Sequence, residues 1–87
     1  MELTPEIAGR IVDAVRPCLD EFWADLIDGE LTVAREYAVA VDDALQAAAI
    51  TGYPVSTEVR DLLDQIDVGP LDRARIDHWL SQIPLAV

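Results

Sequence analysis

Residues 5–28 limit what this chain can fold into more than any other stretch. At 100° per residue they place Ile7, Ala8, Ile11, Val12, Val15, Cys18, Leu19, Phe22, Trp23 and Leu26 on one side, with Glu6, Arg10, Asp13, Pro17, Asp20, Ala24 and Asp28 opposite. The apolar arc covers roughly half the circumference, against about 100° for an ordinary surface helix. Such a helix needs neighbours on more than one flank, so the rest of the chain has to pack around it. Thr4-Pro5-Glu6 supplies its start: a hydroxyl for a free N–H, a proline where no donor is missed, and an acid at the positive end of the dipole. Pro17 is the objection to continuity, because an interior proline removes a hydrogen bond and crowds the carbonyl of Asp13. It falls on the polar side while the apolar phase runs on through Cys18, Phe22 and Leu26. The pattern therefore predicts one helix bent around its core rather than two helices broken at Arg16.

Gly29 reads as a left-handed cap, with Glu30 and Leu31 turning the chain into a second helix. Its apolar face is Ala34, Tyr37, Ala38, Val41, Ala44, Leu45 and Ala48, opposed by Arg35, Asp42, Asp43 and Gln46. Alanines bring backbones close, which predicts an antiparallel hairpin with the first helix, and Ala40 and Ala47 extend a small-residue flank. Gly52 and Pro54 stop this helix. Ser56 caps a third, with Val59, Leu62, Leu63 and Ile66 inward, and Pro70 opens a fourth, with Ile76, Trp79, Leu80 and Ile83 inward. The predicted fold is all-α: one small four-helix domain over residues 1–87. A long kinked antiparallel helical hairpin (5–28 and 31–50) is joined by two shorter helices (56–67 and 70–83).

Eighty-seven residues suffice for one modest core. Seventeen acids oppose six arginines, with no lysine, for a net charge of −11. That balance argues against nucleic acid and anionic lipid, where a basic patch supplies most of the affinity, and favours a basic partner. No apolar run approaches the ~18 residues of a membrane span, and no signal peptide is evident. Cys18, the lone cysteine, lies on the apolar face, as an inert thiol in a reducing cytoplasm would. The use of Arg, Ala, Val and Asp without lysine points to a GC-rich genome, that of a bacterium or its phage.

No constellation for catalysis emerges. The only histidine, His78, sits on an outer face, and Arg75 occupies the position where a Glu-x-x-His di-iron motif needs a glutamate. Asp25, Asp28 and Glu30 lack the alternate spacing of a calcium loop. Helices three and four resemble a helix-turn-helix only in length, since Asp61, Asp64, Asp72 and Asp77 offset their arginines. The expectation is no enzyme, no cofactor and no metal. What remains is an acidic run, Asp20, Glu21, Asp25, Asp28 and Glu30, without a basic residue among them. It predicts a non-catalytic protein-binding domain, an adaptor or inhibitor. Asp20, Glu21, Asp25 and Asp28 would rim the site for another protein's basic surface, with Trp23 as anchor. A homodimer through the Ala-rich flank of helix two, or a nucleic-acid mimic that sequesters a DNA- or RNA-binding protein, are the alternatives.

Overall fold

The computed structural model describes residues 1–86. Helix α1 (Pro5–Val15) leads through a 3-10 turn (Arg16–Cys18) to α2 (Glu21–Gly29). A π-helical turn (Glu30–Ala34) follows, then α3 (Tyr37–Thr51), α4 (Thr57–Gln65) and α5 (Pro70–Gln82). The all-helical class is as the sequence predicts. The start signals also hold: the Thr4 hydroxyl accepts from the N–H of Ile7 and the Ser56 hydroxyl from that of Val59, while Pro70 takes the first helical position. Gly52 is left-handed (φ 69°), ending α3 in the conformation that costs glycine least.

The single bent helix over 5–28 is not what forms. Pro17 has no N–H for the Asp13 carbonyl, and the N–H of Arg16 takes that carbonyl instead, tightening the chain into the 3-10 turn. Leu19 (ψ 124°) and Asp20 (ψ 176°) are then extended, and the Asp20 carboxylate opens a new helix by accepting from the N–H of Trp23 at 2.8 Å. This break resets the helical phase. Ile27 becomes fully buried, whereas Phe22 and Leu26, expected in the core, are 70% and 40% exposed.

The second boundary also moves. Gly29 is helical (φ −62°, ψ −41°), so α2 runs straight into the π turn. The left-handed residue is Arg35 (φ 55°), six positions later, and only there does the chain turn into α3. A non-glycine residue in that conformation costs about 1 kcal/mol, which the packing on either side must offset.

α3 is the centre of the domain and packs most extensively against α1 and α5. Ala40, Val41, Ala44, Leu45 and Ala48 are fully buried, Ala47 nearly so, around a core shared with Ile11, Val12, Val15, Leu63 and Ile76. Ala40 and Ala47, expected as a small-residue flank, therefore face the protein's own interior. Two arginines close the far end. Arg60 donates to the carbonyls of Leu80 and Ile83, and Arg73 to those of Leu63 and Ile66, capping the C-terminal ends of α5 and α4, and Arg60 also donates to the carbonyl of Val55 ahead of α4. Val55 and Leu85 meet in an isolated parallel bridge beside this grip.

Candidate functional site

The four carboxylates expected to rim a partner site, and Trp23, expected to anchor it, all fall on α2 and its cap, but they do different work. Asp20 is committed to capping the helix. Asp28, half-buried, accepts two hydrogen bonds from the Arg16 guanidinium, at 3.1 and 3.3 Å, which raise the pKa of Arg16 further. Glu21 and Asp25, one turn apart and exposed, have no ion-pair partner among the described residues. Trp23 packs partly buried against the core. Its neighbour Phe22 stands out in solvent instead, edge-on to the Trp23 ring at 6.0 Å and 78°. The α2 surface thus keeps two free carboxylates from the expected set and adds an exposed aromatic. One clue to that reassignment is legible in the residues themselves: Asp20-Glu21 before an apolar run is a helix start signal.

Cations do little to neutralise this surface. Of the six arginines, Arg60 and Arg73 hold backbone carbonyls, Arg16 holds Asp28 and Asp13, Arg75 holds Asp42, Arg10 lies 3.7 Å from Glu58, and Arg35 is exposed at the end of the π turn. The arginines of α4 and α5 are thereby drawn into internal contacts rather than arrayed for phosphates.

A second acidic group lies at the joint between α2 and α3. Glu30, on the π turn, turns its Oε1 into the interior, where it meets no hydrogen-bond donor. Burial, contact with the Asp43 carboxyl, and the charges of Asp43, Glu36 and Asp42 push the Glu30 pKa up to about 7. A proton on this carboxyl lets it donate to Asp43, a bond that two ionised acids cannot make. Because the folded chain holds this proton more tightly than the unfolded one, the stabilisation is full below about 4.5, the ordinary glutamate value, and is lost as pH rises through about 7. Glu30→Gln keeps a donor and removes the charge. It is expected to melt above the wild type at pH 8 and close to it at pH 5, as thermal melts at the two values would show. Parallel pH dependence of the two proteins would contradict the assignment.

Asp42 is buried, 7% exposed, although its position in the sequence pattern places it on the polar side of α3. Two side chains of α5 account for it. Arg75 Nε donates to Oδ2 at 2.8 Å and Trp79 Nε1 to Oδ1 at 2.7 Å, with the Arg75 guanidinium carbon 5.8 Å from the Trp79 ring centre. The arrangement fastens α3 to α5 and satisfies both carboxylate oxygens. No group of three or more His, Cys, Asp or Glu side chains among the described residues is placed to hold a metal ion.

An open cleft of about 260 Å³ lies between α1 and α4, lined by Arg10, Asp13, Glu58, Val59 and Leu62. Those five residues include no thiol, hydroxyl or imidazole. Cys18, a free thiol, is partly buried, and burial pushes its pKa up, away from the reactive thiolate. His78 is exposed, with Nε2 lying 3.3 Å from the Gln82 amide. No helix among the described residues is long and apolar enough to cross a membrane. Comparison with protein-family models, with curated proteins and with solved structures finds no match.

Proposed function

We propose that this chain is a non-catalytic protein-binding domain, an adaptor or inhibitor, whose α2 surface engages the basic surface of another protein. The observation that carries this reading is Phe22, 70% exposed on the same helix as Glu21 and Asp25, which have no cation of their own. Large exposed aromatics are the residues that anchor interfaces, and carboxylates around them set the encounter rate and the sign of the partner. Trp23, held against the Phe22 edge, backs the anchor and gains cover when a partner seats on it. Mimicry of nucleic acid is the weaker reading, because an array of phosphates asks for no aromatic at its centre. A lone, partly buried thiol suits a reducing compartment such as the cytoplasm.

Capture from the native cell extract on paired baits tests the proposal. Wild type should retain one or more basic proteins at low salt and release them as salt rises. The Glu21→Lys/Asp25→Lys bait should lose them, whereas Asp61→Lys/Asp64→Lys, the same charge change on exposed positions of α4, should retain them. Equal loss from both baits would mean that charge acts through the whole protein's field and that α2 is no discrete site.

A further inference from the structure

Three exposed apolar side chains follow one flank of α2 and its extension: Phe22, Leu26 and Val33, at 70%, 40% and 82% exposure. The helix is continuous from Glu21 through Ala34, because Gly29 and Glu30 keep helical dihedrals. Phe22 and Leu26 lie one α-helical turn apart on the same side, and Val33, on the π turn that follows, is exposed beyond them, so the three succeed one another in a ridge along the outward flank of this segment. Trp23 and Ile27 turn the adjacent face inward, and Glu21 and Asp25 edge the ridge on its solvent side. We infer that the Phe22–Leu26–Val33 ridge seats an amphipathic helix of a partner protein, whose apolar face covers the ridge and whose arginines or lysines meet Glu21 and Asp25. The inference rests on the protein-binding reading above and narrows it to the shape and charge of the partner.

Several properties select this occupant. A helical ridge is matched by a second helix lying about 8–10 Å away with its side chains in the grooves, and apolar anchors one turn apart, as Phe22 and Leu26 are, are how helices are read in such sites. Charge excludes the alternatives. A second copy would bring together two chains of net charge −11, and an anionic lipid surface would meet Glu21 and Asp25 on that same chain. The edge contact between the Phe22 and Trp23 rings holds the aromatic anchor in place before binding, which lowers the entropy lost on docking.

The probe is a labelled synthetic peptide of about five helical turns, made of leucine, alanine and arginine with the leucines on one face, followed by fluorescence anisotropy. Two control peptides share its length: one has the same composition with the leucines scattered, the other has glutamate for arginine. The full chain should bind the phased basic peptide about 10-fold more tightly than the scattered one and should not bind the acidic one. Phe22→Ser/Val33→Ser should weaken binding about 10-fold, while Leu71→Ser, which removes an equally exposed side chain on α5, should leave it unchanged. Glu21→Gln/Asp25→Gln should weaken it several-fold and flatten its salt dependence. Circular dichroism checks that each variant stays folded. Equal binding of the phased and scattered peptides, or equal loss in Leu71→Ser, overturns the helix-seating inference and leaves the acidic protein-binding surface standing. Failure to bind either basic peptide overturns both.

Discussion

Leu45→Ala is expected to lower the unfolding free energy by about 2–5 kcal/mol, whereas Phe22→Ala, which removes more atoms, lowers it by about 1 kcal/mol or less. Leu45 is fully buried at the centre of α3, where α1 and α5 converge, so its truncation leaves a cavity as well as a lost transfer term. Phe22 is 70% in water and stands to lose mainly its edge contact with Trp23, while alanine is the better helix former. Urea melts of the two variants beside the wild type measure the difference directly. A total stability of ~5–15 kcal/mol, usual for a domain of this kind, would make Leu45→Ala severe. Comparable losses at the two sites would restore the phase of an unbroken first helix and bury the ridge on which the partner-helix inference depends.

The next largest effect is expected at Asp42. Asp42→Ala removes the acceptor of both Arg75 and Trp79, and is expected to cost about 2–4 kcal/mol. The Arg75 side chain is half-exposed and can turn to water, which keeps the loss below that of a fully buried pair. The indole N–H of Trp79 is left without its acceptor in the seam between α3 and α5. Asp42→Asn keeps the shape and one carbonyl oxygen, so its loss should be about half as large. The melting midpoints in urea order the three proteins. A change below about 0.5 kcal/mol for Asp42→Ala would show that the network orients the helices without stabilising them.

Local chemistry made the helix ends of the second half legible. Ser56, Pro70 and Gly52 act through their own backbone, and each does in the fold what its residue type announces. Periodicity likewise identified Leu63, Ile66, Ile76 and Ile83, because α4 and α5 each keep one phase from end to end. The first half failed at the point where phase was lost. Cys18 and Leu19 are partly buried, so the apolar run looks continuous, yet the 3-10 turn and two extended residues rotate everything after them. Phe22 and Leu26 then face out and Ile27 faces in. The start of the second helix in the expected hairpin failed for a different reason: a glycine at 29 suggests an end, but the joint is made by Arg35, whose left-handed backbone no side-chain preference announces. Asp42 was invisible because its partners lie more than thirty residues away, and in α3 alanines are buried nearly all round, so a polar side says little about exposure. In the candidate site the acidic composition was legible from the sequence, while the exposed aromatic beside it depends on the reset phase.

The seam held by Asp42 also has an optical consequence. The indole of Trp79 is hydrogen-bonded there to a carboxylate, whereas that of Trp23 leans on Phe22 in a different helix, so the chain's two tryptophans have unlike surroundings. Emission on unfolding is therefore a sum of two signals, one from the α3–α5 seam and one from α2. Trp23→Phe leaves the seam signal alone, without a foreign dye and without touching the Asp42 contacts, and its midpoint against that of the two-tryptophan chain tells whether α2 lets go before the body of the domain does.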